Sequence, residues 1–213
     1  MDLRAKAIDI RKDIVNLIYH AGTGHIGGDL SVTDILVDLY YKQMNVGPDK
    51  VQDPERDRFV LSKGHCVEAL YTILADKGFF PKEELQTYSQ YLSKFIGHPN
   101  NKIAGVEVNS GSLGHGLAVG VGMALAAKMD QRAYRTYVVL GDGECDEGSV
   151  WEGAMAGPQY GLDNLTVFVD RNRLQISGTT EEVMGQDSAE ERWASFGWNV
   201  LSCLLYTSPS PRD

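Results

Sequence analysis

Val138-Val139-Leu140-Gly141-Asp142-Gly143-Glu144 and, further along, Val167-Phe168-Val169-Asp170-Arg171-Asn172 decide how this chain folds. Each run is apolar and β-branched, then stops at polar residues. That is the pattern of a buried strand delivering a polar group at its carboxyl end. Between them, Glu147 to Tyr160 carries Val150, Trp151, Ala154, Met155 and Ala156 as an apolar face at helical spacing. Strand, helix and strand over roughly 30 residues make one parallel βαβ unit. A right-handed crossover sets the two strands side by side or nearly so. Asp142 and Asn172 are therefore expected at one edge of the sheet, close enough to share an ion.

A hard cation such as Mg²⁺ takes oxygen ligands, usually one or two carboxylates completed by phosphate oxygens and water. Asp142 offers a carboxylate, Asn172 an amide oxygen, and Leu174 a backbone carbonyl. Gly141 and Gly143 leave room for a phosphate to approach the backbone. The following helix is expected to aim the free N–H groups of its N-terminus at the same place. A diphosphate bridged to the protein by Mg²⁺ fits all of these parts. A lone Gly-Asp-Gly is more often an ordinary turn, and the signal lies in the pair of strand ends.

Composition bounds the alternatives. The chain has 213 residues, 43% hydrophobic, enough for one sizeable domain with a core. A formal net charge of -9 argues against nucleic acid, which needs a basic footprint. Cys66, Cys145 and Cys203 form neither a metal spacing nor an even framework, which suggests reduced thiols in a cytoplasmic protein. Charged residues interrupt the start, so no signal peptide is expected. The longest apolar run, Leu117 to Ala127, falls short of the roughly 20 residues a membrane span takes.

In chain order, periodicity predicts a helix from about Asp2 to His20 and a second from Ser31, as cap, to about Tyr41. A strand at Phe59–Leu61 follows, then a helix through Ala69 and Leu74, and a short helix from Lys82 to about Tyr91. Next come a helix from Leu117 to Lys128, whose Gly120 and Gly122 suggest close helix–helix packing, and the Thr136–Leu140 strand. Thr179 to Asp187 reads as a polar connection. Ser188 is expected to cap a helix ended by Gly197, and Trp198 to Leu201 to begin another strand.

Four of the five histidines directly follow glycine: His25, His65, His98 and His115. One Gly-His means little, but four in glycine-rich loops suggest imidazoles that hold phosphate oxygens or move protons on hydroxyls. Their surroundings are Gly24-His25-Ile26-Gly27-Gly28, Ser62-Lys63-Gly64-His65, Gly97-His98-Pro99 and Gly111-Ser112-Leu113-Gly114-His115-Gly116. Together with the Gly-Asp-Gly and Asn pair, these resemble the amino-terminal, cofactor-diphosphate-binding part of transketolase. The resemblance runs to about Leu201, and the short leader suggests the split, two-subunit form.

The resemblance implies an α/β fold, a parallel sheet flanked by helices that binds the diphosphate of thiamine diphosphate. The metal is Mg²⁺, or another divalent cation such as Ca²⁺ or Mn²⁺, held by Asp142, Asn172 and Leu174. His25 and His98 are implied as catalytic, His25 contacting sugar hydroxyls and His98 the substrate's terminal hydroxyl. His65 lies by the cofactor phosphates, Gly111 and Leu113 line the aminopyrimidine, and Gly143 donates its N–H to the diphosphate. Glu147 joins a carboxylate network between paired cofactor sites, although a first-turn glutamate favoured by the helix dipole reads nearly as well. His115 departs from the pattern, since many transketolases carry glutamine there. Ser62 and Lys63 read as structural, and Asp170 as a cap outside the metal shell.

The implied reaction passes a two-carbon ketol unit from a ketose phosphate to an aldose phosphate, as in the pentose phosphate pathway. The glutamate that activates the aminopyrimidine belongs to a following, pyrimidine-binding domain. This chain is therefore expected to need a second subunit or domain, and the whole to form a dimer of such units. Rival readings are a 1-deoxy-D-xylulose-5-phosphate synthase, the alpha subunit of a 2-oxo acid dehydrogenase, or a non-catalytic scaffold. The Gly97–Pro99 and Gly111–Gly116 loops weigh against the first, the histidine set against the second, and intact Asp142, Asn172 and the four histidines against the scaffold.

Residues 203–213, Cys-Leu-Leu-Tyr-Thr-Ser-Pro-Ser-Pro-Arg-Asp, fit neither strand nor helix. The string matches one frame of a common transposase sequencing adapter (TGT CTC TTA TAC ACA TCT). The expected native part is therefore 1–202, a domain truncated at its C-terminus, with 203–213 read through from adapter and the true chain continuing past Ser202.

Overall fold

The computed structural model describes residues 1–186 and 188–203. They divide into two compact units. One comprises Met1–Asp57 and Gly64–Gly111, the other Arg58–Lys63 and the described chain from Ser112 onward.

The first unit is helical. Asp2 caps α1 (Leu3–Ala21) through the amides of Arg4 and Ala5, and Gly22, at φ 67°, closes it with a bond to the Ile18 carbonyl. α1 packs on α2 (Ile26–Asp38) and α3 (Val67–Asp76), burying Ile10 and Ile14 with Val32, Leu36, Leu70 and Ile73. Helix α2 begins five residues before the expected start, so Ser31 lies inside it and His25 occupies the cap position. The Gly27-Gly28 pair, which reads as loop, is helical, and Gly28 is required there by close packing: a Cβ would stand 2.6 Å from the Cys66 sulfur. Beyond α2 the chain makes a π turn at Leu39–Gln43, and the expected helix at 82–91 is a 3₁₀ turn over Lys82–Thr87.

The second unit carries the sheet. β1 (Arg58–Leu61), β2 (Thr136–Gly141) and β3 (Leu165–Asp170) run parallel in the order β1-β2-β3. The register pairs Gly141 with Asp170, so β2 and β3 end level, as the βαβ reading requires. β2 is buried along its whole length, as expected of a central parallel strand. Helix α4 (Gly116–Met129) lies on all three strands. A Cβ at Gly120 would stand 2.4 Å from Val138 Cγ2. The glycine thus serves helix-on-sheet contact rather than the expected helix–helix contact, while Gly122 faces open space.

Helix α5 (Gly148–Gln159) packs against α4. After β3 the polar connection contains structure of its own, a two-residue hairpin β4 (Leu174–Gln175) and β5 (Gly178–Thr179) feeding α6 (Thr180–Val183). Thr179 and Glu182 form a capping box at α6. α7 (Ala189–Ser195) follows; Ser188 sits at its cap position without a side-chain capping bond. Residues 198–201 are not a strand. Trp198 packs edge-on to Trp193 and donates its indole N–H to the Ala154 carbonyl at 2.8 Å. Apart from Cys203, which is exposed, the adapter expectation falls outside the described residues. No helix among the described residues is long and apolar enough to cross a membrane.

Candidate cofactor and substrate site

Three strand ends meet at one edge of the parallel sheet, where open α/β sheets place ligands. β1 leads into Ser62 and Lys63, β2 into Asp142, and β3 into Asn172. Asp142 is buried, at 4% exposure. Its Oδ2 accepts the backbone N–H of Arg173 at 2.6 Å and its Oδ1 that of Gly143 at 3.0 Å. The Asp142 amide continues the ladder to the Asp170 carbonyl at 3.3 Å. Asn172, directly before Arg173, turns its Oδ1 to the Leu174 amide at 2.9 Å. Asp142, Gly143, Asn172 and Leu174 thus form one turn cluster.

Burial pushes the Asp142 carboxyl above the usual carboxylate range. The Arg173 and Gly143 amides and the Lys63 ammonium pull the other way, and Asp170 adds to the rise. Lys63 and Asp170, both buried, pair with each other at 2.6 Å at the ends of β1 and β3.

The set suits a hard cation. Each oxygen of Asp142 has a lone pair beyond the one its amide partner uses, and Asn172 Oδ1 likewise. Among the described residues no group of three or more His, Cys, Asp or Glu side chains could hold a metal. One carboxylate with amide and backbone oxygens matches an ion that keeps phosphate and water ligands, not one caged by protein. The Gly143 N–H is donated to Asp142 Oδ1. A 3₁₀ turn, Gly143–Asp146, separates Asp142 from α5, which begins within one residue of the expected Glu147. Glu147 holds the α5 cap position, exposed and without a capping bond.

Glu144 is the residue that sequence reasoning missed. It is buried and accepts the Ser62 hydroxyl, the Gly114 N–H at 2.9 Å and the Gly141 N–H at 3.0 Å. It thereby joins the glycine-rich loop that carries Leu113 to the Gly-Asp-Gly turn. Its only sequence signal is its place in the strand-ending stretch. Gly116 donates to Ser62 Oγ at 3.1 Å. Leu113 is half-buried, and His115, exposed, precedes α4 without a capping bond.

The first unit gathers the other residues. The His25 ring lies 5.7 Å from that of His65 and 6.2 Å from that of His98. Gly111, at φ 135°, lies against His98: a Cβ there would stand 2.7 Å from its Cδ2. The His98 carbonyl accepts the Tyr71 hydroxyl at 2.9 Å.

Residues 3–206 match the family model described as transketolase, thiamine diphosphate binding domain. This chain belongs to the transketolase family. It is 59% identical over 191 residues to an apulose-4-phosphate transketolase subunit of Phocaeicola vulgatus, covering 90% of this chain and 68% of that protein. It is 43% identical over 203 residues to a 6-deoxy-6-sulfo-D-fructose transketolase subunit of Clostridium sp. strain MSTE9, covering 95% of this chain and 74% of that protein. Among solved structures, the transketolase of Pichia stipitis in complex with sedoheptulose 7-phosphate superposes with a TM-score of 0.86 at 34% identity, covering 93% of this chain and 31% of that one. The chain therefore spans about a third of the length of that transketolase chain. These transketolases are transferases. The match sets the α/β fold, a parallel sheet flanked by helices, as that of the family's amino-terminal thiamine diphosphate binding section.

Proposed function

We propose that this chain is one component of a two-component transketolase that transfers a two-carbon ketol unit between sugar phosphates. The observation that carries the reading is the turn cluster at the sheet edge: the buried Asp142 carboxylate 2.6 Å from the amide next to Asn172. Asp142, Asn172 and the Leu174 carbonyl would hold Mg²⁺ (or Ca²⁺ or Mn²⁺), and Gly143 the diphosphate. Leu113 and Gly111 would line the aminopyrimidine, with His65 beside the phosphates and Glu147 in a carboxylate network between paired sites. His25 and His98 would bind sugar hydroxyls and move their protons. When bound, thiamine diphosphate supplies the carbanion chemistry; the protein's part is position, electrostatics and proton movement.

A second polypeptide carrying the pyrimidine-binding half is the proposed partner, supported by relatives named as subunits, and the whole is proposed to be a dimer of such pairs. Those two names refer to different sugars, so the donor is proposed only as a ketose phosphate or a close analogue; the pentose phosphate pathway is one setting. A cytoplasmic setting is proposed from the spacing of Cys66, Cys145 and Cys203, which makes neither a metal site nor an even disulfide framework. We also propose that residues 203–213 are adapter read-through, which resequencing of the locus tests.

Calorimetric titration of the assembled pair with thiamine diphosphate tests the site. Uptake should need a divalent cation, and Asp142→Ala should weaken it by about tenfold or more. Cation-independent uptake, or an unchanged Asp142→Ala variant, would sink the reading.

A further inference from the structure

Glu68 stands in the first turn of α3, fully buried at 0% exposure. Its Oε1 accepts the His25 backbone N–H at 3.2 Å and the Tyr88 hydroxyl at 2.6 Å. The same oxygen lies 3.9 Å from His25 Nδ1, on a ring that is half exposed. Glu68 Oε2 is buried and accepts no hydrogen bond among the described residues. A carboxylate buried with one oxygen idle is costly and calls for a functional explanation. The chain also makes room for it. Gly24 takes φ 152°, and a Cβ there would stand 2.7 Å from Glu68 Oε1. Any larger residue before His25 would push the carboxylate away.

We propose that Glu68 is a positioning residue for the transfer reaction, holding the backbone and ring of His25 so that its outer nitrogen faces the sugar hydroxyls. A carboxylate beside Nδ1 fixes the tautomer with the proton on Nδ1 and leaves Nε2 as the acceptor. At 3.9 Å the contact is longer than a hydrogen bond, as is common before substrate tightens such pairs. The Tyr88 hydroxyl anchors the same Oε1 at 2.6 Å. The inference rests on the proposed proton-moving role of His25, and it concerns a residue on α3 that no Gly-His motif marks.

A double-mutant cycle in the assembled enzyme, with Mg²⁺ and thiamine diphosphate, tests it. Glu68→Gln keeps the size and an oxygen acceptor but removes the charge. It should lower kcat about tenfold or more and leave KM for the ketose donor and cofactor affinity within about twofold. In a His25→Ala background the same substitution should cost nothing further. Tyr88→Phe should show the same pattern more weakly, and serves if Glu68→Gln fails to fold. A readout without turnover uses the full chain alone. Nitrogen shifts of labelled histidine, assigned with His25→Ala, should show His25 protonated at Nδ1 in the wild type and a mixture of tautomers in Glu68→Gln. Equal losses in both backgrounds, or an unchanged tautomer, would overturn the role of Glu68 while leaving that of His25 intact. Full activity of His25→Ala would overturn the reading of His25 itself, and the proposal with it.

Discussion

Glu144 accepts hydrogen bonds from Ser62, Gly114 and Gly141, residues that follow β1, precede α4 and end β2. Burial pushes its carboxyl above the usual range, against the pull of those donors and of Lys63. Glu144→Gln keeps the size but turns an amide NH₂ toward one of the backbone N–H donors. It should cost about 1–3 kcal/mol of stability. The cost should also depend on pH. A carboxyl whose folded pKa is raised contributes stability that is fully present below the unfolded pKa and lost as pH rises through the folded value. Glutamine has no such term. The wild-type advantage should therefore be largest on the acid side and shrink through the window above the usual carboxylate range. Urea unfolding of both chains across that window measures it; an advantage that stays flat or grows with pH contradicts the assignment.

At the scale of elements, α4 is shaped by the sheet beneath it. Gly116 and Gly120 fall on one face: a Cβ at Gly116 would stand 2.4 Å from Ser62 Cβ, and one at Gly120 equally close to Val138 Cγ2. Gly122 faces open space. Two alanine substitutions on one helix should therefore act in opposite directions. Gly120→Ala should destabilise by about 1–3 kcal/mol through overpacking against β2. Gly122→Ala should stabilise by about 0.5–1 kcal/mol through helix propensity alone. Unfolding midpoints of the two variants decide, and equal effects would mean α4 does not rest on β2 by this face.

The same contrast explains what the sequence can reveal. β2 is legible because a central parallel strand is buried along its length and reads as a continuous apolar run, β3 because Val167–Val169 is a second such run at the end of the sheet, and α1 because its buried face repeats at helical spacing. The α2 start is not, because Gly27-Gly28 reads as a breaker until Cys66 and His65 are seen against it. The β4–β5 hairpin and α6 are too short to show any period. Trp198 looks like the start of a strand because its apolar neighbours alternate, yet its partners are Trp193 and the Ala154 carbonyl. In the site, Asp142 and Asn172 can be paired from topology alone. The convergence of His25 with His65, His98 and Glu68 depends on loop geometry across distant stretches, and only the Gly-His repetition hints at part of it.

Across the whole molecule the charge is -9, and the turn that would receive the diphosphate runs Asp142-Gly143-Glu144-Cys145-Asp146-Glu147, rich in carboxylates. Bringing a polyanion to such a turn opposes Coulomb repulsion unless a divalent cation lies between. Among the described residues, Lys63 is committed to Asp170, and the Gly143 amide would have to exchange Asp142 Oδ1 for a diphosphate oxygen. If the proposed second component supplies the rest of the cofactor's surroundings, turnover is a property of the pair. The purified chain, given Mg²⁺, thiamine diphosphate, xylulose 5-phosphate and ribose 5-phosphate, should form no detectable product. Titrating in the second component should raise the rate to a plateau at equal stoichiometry, and that plateau should vanish on chelation of the metal. Ranking ketose phosphates, apulose 4-phosphate and 6-deoxy-6-sulfo-D-fructose as donors to the reconstituted pair then identifies the sugar. Steady turnover by this chain alone, free of any partner, would refute the division of labour. A plateau that is lost on chelation but survives Asp142→Ala would instead locate the metal-binding chemistry on the other component.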